Sequence, residues 1–308
     1  MTPETHNGRF GGALDASRGT TLFKVMLWQL SKIPKLFTPK PRSRPLDIVH
    51  EPQQLHTEKD FICWLGHASF LIQLDGKRLL CDPVFGNIPF YKRHTPAPYR
   101  ADELPGVDYV LISHAHYDHC DAATLKAVEH FNPTAVVPLN SADVVAKAAP
   151  TLTCKELGWY ESYETGGLRI TLVPSMHMSR RTPFDNNTRL WGGYIIESGT
   201  RCIYFGGDTG YGPHFKEIGK RFDIDYALLP ISSYAPAFVM KYTHLNPEEA
   251  YQAFTELGAK TMIPMHYGTF DLSDEPMGEP LEWMEKIAAE HSGEIQFVTT
   301  GNVLFLKK

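Results

Sequence analysis

Cysteine is scarce and unpatterned in this chain of 308 residues. There are five, an odd number, and none forms a CxxC pair. Cys63 and Cys81 sit inside apolar runs, and Cys120, Cys154 and Cys202 make no regular spacing, so the expectation is small buried thiols. A disulfide framework is not predicted, and a reducing compartment fits. Positive charge is not in surplus either. Thirty basic residues face thirty-five acidic ones, a net charge of -5, which argues against bulk attraction for nucleic acid. No basic, aromatic-rich arm for RNA is present. No apolar run approaches the roughly 20 residues that span a bilayer, and the polar stretch Met1 to Arg9 does not read as a secretory signal. The expected location is cytoplasmic. With 43% hydrophobic and 21% charged residues the chain is globular rather than disordered. What is plentiful is histidine: fourteen residues.

Two regions of different character divide the chain. Residues 1–50 read as an N-terminal arm. Its first 20 residues, rich in Gly and Thr, are expected to be mobile. Then Leu22, Phe23, Met26, Leu27, Leu30 and Ile33 share one arc at helical spacing, with Lys24 and Ser31 opposite, and Pro34 ends the helix. A linker with Pro39, Pro41, Pro45 and Pro52 follows. Residues 16–46 carry Arg18, Lys24, Lys32, Lys35, Lys40, Arg42 and Arg44 and no acid, a charge of +7 against -12 for the rest. A basic amphipathic helix with Phe23 and Trp28 suits an anionic bilayer surface, reached through residues 20–44, and peripheral attachment is the expectation. The same helix also suits packing against its own domain.

Residues 51–308 read as the catalytic domain. Phe61–Leu65, Phe70–Leu74, Arg78–Cys81, Tyr109–Ile112, Ala135–Val137, Leu168–Val173, Gly193–Ile196, Cys202–Phe205, Tyr226–Leu229, Thr261–Pro264 and Gln296–Val298 read as strands, with hairpin turns at Asp75-Gly76 and Ser198-Gly199. Helices are predicted after Asp121, around Phe215, Ile218 and Phe222, after the Asn246-Pro247 cap, and over Leu281–Ala289. The pattern gives an α/β domain of layered sheets covered by helices.

Ser113-His-Ala-His-Tyr-Asp-His119 follows an apolar strand and precedes a capped helix. Alternate side chains of an extended turn face one way, so His114 and His116 point together, while Asp118 and His119 face a second position. Imidazole and carboxylate suit zinc, iron, manganese or nickel. Three further candidates follow predicted strands: His177 after Val173, Asp208 in Gly206-Gly-Asp-Thr-Gly210, and His266 in Pro264-Met-His266.

This HxHxDH motif and its followers resemble the metallo-β-lactamase superfamily. The resemblance implies a four-layer αββα sandwich and two divalent metal ions, with zinc the default for so histidine-rich a set. It implies that His114, His116 and His177 hold the first metal, that Asp118, His119 and His266 hold the second, and that Asp208 bridges both. A shared carboxylate screens two neighbouring cations, and both polarise one water. Histidine stands where flavin-linked di-iron relatives have an acid, which favours hydrolysis over redox chemistry.

Gly66-His-Ala-Ser69, Asp82-Pro-Val-Phe85, Gly207-Asp-Thr-Gly-Tyr211, Met240-Lys-Tyr-Thr-His244, Asn246-Pro-Glu-Glu-Ala250 and His266-Tyr-Gly-Thr-Phe270 resemble one branch, the N-acyl-phosphatidylethanolamine-hydrolysing phospholipase D family. The likeness runs from about residue 60 to about 275, and Gly86 to Pro98 departs from it. It implies a zinc-dependent phosphodiesterase that hydrolyses N-acyl-phosphatidylethanolamine-like phospholipids to phosphatidic acid and N-acylethanolamine through a hydroxide shared by the metals. In that reading Asp118, Asp208, His244 and Tyr117 are catalytic, and His67, Lys241 and Arg181 contact substrate or support the centre. A homodimer is also consistent with the family. The competing readings are a lactonase or a phosphodiesterase for a soluble substrate on the same metals, and a non-catalytic membrane-binding protein.

Overall fold

The computed structural model describes residues 2–18, 27, 28, 30, 43 and 45–306. Thirteen strands form two sheets. The first has strands β3 (Phe61–Trp64), β4 (Phe70–Leu74), β5 (Lys77–Cys81), β6 (Tyr109–Leu111), β7 (Thr134–Pro138), β8 (Thr153–Leu157) and β15 (Val303–Phe305), in the order β15-β3-β4-β5-β6-β7-β8. The second has β9 (Ser162–Thr165), β10 (Leu168–Val173), β11 (Gly193–Glu197), β12 (Cys202–Phe205), β13 (Tyr226–Pro230) and β14 (Thr261–Met265), in the order β14-β13-β12-β11-β10-β9.

Period-two alternation sorts the side chains between layers. Ile62, Trp64, Phe70, Ile72 and Leu79 join Ile170, Leu172, Tyr194, Ile203 and Phe205 in one core that includes both sheets. Phe61, Cys63, Leu71, Leu80 and Val110 instead pack with Leu125, Val128 and Val145, from helices α1 (Ala122–Val128) and α2 (Ala142–Ala148). On the second sheet, helices α3 (His214–Gly219), α5 (Pro247–Leu257) and α6 (Glu279–Glu290) contribute Phe215, Ile218, Phe254, Leu257 and Met284 to the core. The result is helix, sheet, sheet, helix. Local signals act as expected: Asp121 caps α1 by accepting from the Thr124 amide at 2.9 Å, and Asn246 and Glu249 form a capping box at the start of α5.

Strand direction decides where chemistry gathers. Because β3 is antiparallel to β4 and β4 to β5, β3 runs the same way as β5, and β6 is parallel to β5. By the same reasoning β10 runs with β12, and β13 and β14 run parallel to β12. The chain leaves each of these strands at its carboxyl end, where α/β sheets build their sites.

Two expectations are corrected, and two strands are new. Residues 4–16 are not loose: Glu4–His6 (β1) and Arg9–Gly11 (β2) form a hairpin, and Phe10, Leu14 and Ala16 are buried. Gln296–Val298 is not a strand of either sheet; only its neighbour Ile295 bridges Met262, and the last strand is β15. The polar edge strands β8 and β9 were not anticipated. The predicted helix over residues 21–34 lies mostly outside the described residues. Within it, Trp28 is buried with Val239 and Met240, beside helix α4 (Ala237–Met240).

Candidate metal centre

Seven strand ends supply the site. Gly66-His67 follows β3, Asp82 follows β5, Ser113 to His119 follow β6, His177 follows β10, Asp208 follows β12, Ser232 follows β13 and His266 follows β14. Three groups of side chains result, one of them Asp82, His114 and His119, and the other two carry the predicted ligands. The ligand atoms of His114, His116 and His177 lie within 4.8 Å of one another, as do those of His67, Asp118, His119 and His266.

In the first group, His116 Nδ1 lies 2.7 Å from His114 Nε2 and 3.3 Å from His177 Nε2. Ligand atoms of a tetrahedral zinc centre with bonds of roughly 2.0–2.1 Å lie about 3.4 Å apart. In the second, His119 Nε2 lies 3.6 Å from Asp118 Oδ2, and His266 Nε2 lies 3.9 Å from it. Asp208 stands between the groups. Its Oδ2 is 3.2 Å from His119 Nε2, 3.8 Å from His177 Nε2 and 3.3 Å from His244 Nε2, and its Oδ1 is 3.1 Å from His266 Nε2.

Neighbouring hydrogen bonds choose which nitrogen faces inward. The Thr243 carbonyl accepts at 3.0 Å from His177 Nδ1, leaving Nε2 as the lone pair. Buried Asp82 accepts from His119 Nδ1 at 2.7 Å and from the Ser113 hydroxyl at 2.5 Å. With its proton given to Asp82, Ser113 Oγ accepts from His114 Nδ1 at 2.9 Å. One carboxylate therefore sets His119 and His114 together. The sequence had shown Asp82 only as part of a motif; its signal was an acid at the end of an apolar strand.

His67 and His266 both hold left-handed backbone, with φ of 54° and 66°. Their surroundings over-determine this strain. Thr269 Oγ1 accepts from the His67 amide at 2.8 Å, and the His67 carbonyl accepts from Trp64 Nε1 at 2.8 Å and the His266 amide at 2.9 Å. Ser232 Oγ donates to the His266 carbonyl.

Most of the charge states match what a metal requires, and His119 is the exception. Burial lowers His67 to about 3, with repulsion from His266 adding to it, and lowers His116 to about 4. Burial holds His114 and His177 well below the usual imidazole value. Burial opposes ionisation of Asp118 and Asp208, yet His119 chiefly, with His67 at Asp118 and His266 at Asp208, keeps both carboxyls below their usual range. Burial also opposes charge on His119, but Asp208, Asp118 and Asp82 raise it. Neutral imidazoles and ionised carboxylates are the ligating forms, so a cation would have to displace the proton that the three acids favour on His119. The fit is tested by atoms that lack partners: among the described residues, His119 Nε2, His266 Nε2 and Asp208 Oδ1 are buried and make no hydrogen bond. Three adjacent orphaned ligand atoms suit a cation.

Of the remaining predicted residues, His244 reaches the ligand set directly. His244 Nε2 faces Asp208, and its Nδ1 lies 2.8 Å from Thr243 Oγ1. Tyr117 is 39% exposed, and the Arg181 guanidinium lies 4.1 Å over its ring. Arg181 Nη1 also donates to the Ala115 and Cys120 carbonyls at 2.9 and 2.8 Å, clasping the motif loop. Lys241 is exposed, with its Nζ 5.4 Å from the Tyr242 ring.

Residues 77–267 match the beta-lactamase superfamily domain. The chain belongs to the metallo-β-lactamase superfamily. Among metallo-β-lactamase relatives, it is 35% identical over 268 residues to the N-acyl-phosphatidylethanolamine-hydrolyzing phospholipase D 1 of Caenorhabditis elegans, covering 79% of this chain and 75% of that one. It is 30% identical to a metal-dependent hydrolase of Pelotomaculum thermopropionicum, over 80% of this chain and 99% of that one. The fold is like that of a metallo hydrolase of Ignicoccus hospitalis, with a TM-score of 0.64 and 22% identity, over 81% of this chain and 99% of that one. It is a metal-dependent hydrolase of this fold.

Proposed function

We propose that the chain is a two-metal phosphodiesterase of the phospholipase D type, hydrolysing N-acyl-phosphatidylethanolamine-like phospholipids to phosphatidic acid and N-acylethanolamine. The observation that carries this is the position of Asp208, with one oxygen toward His177 and His119 and the other toward His266. His114, His116 and His177 would hold one ion, and Asp118, His119 and His266 the other, with Asp208 shared and His67 adjoining the second. Two such ions, zinc by the donor set, would bring a water to a pKa of about 7 and offset phosphoryl charge.

The chain's own residues supply the rest. His67 lies 3.1 Å from Asp118 Oδ2 and keeps that carboxylate oriented. His244, with its side chain 14% exposed, is the imidazole that reaches both Asp208 and solvent, and it stands to hand a proton to the leaving alkoxide. Tyr117, exposed within the motif loop, is our candidate donor to a phosphoryl oxygen. The likeness to the worm phospholipase D supports the diester as substrate.

A lipid substrate calls for a lipid-facing mouth. Phe184 is 84% exposed and Phe238 is 51% exposed, and exposed basic Arg180 and Lys241 lie near them in the sequence. Apolar tips with basic neighbours suit an anionic bilayer surface, and the basic arm of residues 20–44 would add to that attachment. Flotation with anionic vesicles should fall when Phe184 and Phe238 are both changed to Ser; equal flotation contradicts the membrane reading. The activity itself is tested with zinc-loaded protein and mixed micelles of N-acyl-phosphatidylethanolamine, with a His114→Ala control. Phosphatidic acid and N-acylethanolamine should appear with the native chain only. No product at full metal occupancy contradicts the assignment.

A further inference from the structure

We propose that His214, a fully buried imidazole outside the ligand set, is a positioning residue that locks the Asp208 loop onto the His177 loop through Thr209. The proposal rests on the two-metal reading of the site.

His214 opens helix α3 and is 0% exposed. Its Nε2 lies 3.0 Å from Thr209 Oγ1. That oxygen has two other partners: it accepts from the Met176 amide at 3.0 Å and donates to the Gly210 carbonyl at 2.8 Å. A hydroxyl has one proton to give and two lone pairs. Since the proton goes to Gly210, His214 must donate, so its proton sits on Nε2. Thr209 is then fully satisfied by His214, Met176 and Gly210.

The linkage joins residues next to two ligands. Thr209 and Gly210 follow Asp208, and Met176 precedes His177. The Gly210 amide donates to the Met176 carbonyl at 2.7 Å, completing a small ladder between the loops. The Asp208 loop is fastened on its other side too, because a Cβ at Gly210 would lie 2.5 Å from the Tyr242 carbonyl oxygen. Space for the imidazole is made by Gly212, where a Cβ would stand 3.1 Å from His214 Nδ1 and 3.2 Å from Met176 Sδ. Burial keeps the ring neutral by lowering it to about 3, and the bare Nδ1 is a lone pair rather than an unpaired N–H. An aliphatic residue there would fill space and leave Thr209 one donor short, so the Asp208-to-His177 separation would loosen.

The test compares the native chain with His214→Ala and His214→Gln, whose side-chain amide reaches the Nε2 position. Zinc affinity is measured by competition with a chelator and bound zinc by elemental analysis, with apo-protein melting as a check on folding. His214→Ala should weaken zinc binding about tenfold, the lower end of what supporting contacts contribute to metal sites. His214→Gln should recover most of it. Independently of metal, the nitrogen NMR shifts of His214 in the apo chain should report a proton on Nε2. Unchanged affinity in a folded His214→Ala chain, or a proton on Nδ1, overturns the positioning role alone. A native chain that binds no zinc overturns the two-metal reading, and the role with it.

Discussion

Asp82 Oδ2 lies 2.7 Å from His119 Nδ1, and through Ser113 the same carboxylate governs His114. A single buried acid thus orients one ligand from each group. Asp82→Asn keeps the volume but replaces an acceptor with a group whose amide competes as a donor, so His119 and His114 lose the anchor for their inward lone pairs. Zinc affinity should fall roughly ten- to a hundredfold, as measured by chelator competition. Native affinity in this variant would contradict the orienting role.

Asp208→Asn removes the shared charge while leaving the histidines. With metal content restored by excess zinc and verified by elemental analysis, turnover should still fall by roughly two to three orders of magnitude, because charge stabilisation at the reacting centre is lost. Activity that survives at full occupancy would deny Asp208 its place between the ions.

The metal-free chain should lose stability on mild acidification. His67, His114, His116, His177 and His214 all lie below the ordinary imidazole value, with burial the leading cause in each. An unfolded chain takes up these protons near pH 6.5. The folded chain resists until about 4 at His116 and about 3 at His67 and His214. Stability therefore falls as pH drops below about 6.5. His119 works the other way: burial opposes its charge but Asp208, Asp118 and Asp82 raise it, so its contribution is present below about 6.5 and is lost as pH rises through its folded value. Asp118 and Asp208 are depressed, and their contribution is lost only below about 3.9. Asp82, which burial raises, opposes the five as His119 does, and five lowered histidines against these two set the sign. The Tm of chelator-treated protein should fall between pH 7 and pH 5, and a level or rising Tm would contradict this.

The N-terminal hairpin and the segment after it, through Ala16, should prove structural. Leu14 is 2% exposed within the main core, the Ala16 amide donates to the His177 carbonyl at 3.0 Å, and Asn187 Nδ2 donates to Asp15 Oδ1 at 2.9 Å. Leu14→Ala should cost about 3 kcal/mol by denaturant titration. A loss under about 0.5 kcal/mol would mean the hairpin is only laid on the surface.

Strands with apolar alternation, such as β4 and β10, were legible in the sequence because burial on one face writes period two into it. The ligands were legible because HxHxDH concentrates costly residue types in six positions, and His177, Asp208 and His266 each follow an apolar strand. Other features left no such mark. β8 and β9 are polar because they are edges, with exposed residues such as Glu156 and Glu164. The hairpin at residues 4–11 is three residues a side, too short for a period to show. Asp82 and His214 act through hydrogen bonds to residues distant in sequence or around a turn, and a lone acid or histidine carries no spacing that predicts its partner.

The most direct test of the central claim is hydrolysis of N-acyl-phosphatidylethanolamine micelles by the zinc-loaded chain in water enriched with oxygen-18, with both products analysed by mass spectrometry. Attack at phosphorus puts one labelled oxygen in phosphatidic acid and none in N-acylethanolamine, and that is the expected result. Label in N-acylethanolamine, or no product at full zinc occupancy, would contradict a two-metal phosphodiesterase of the phospholipase D type.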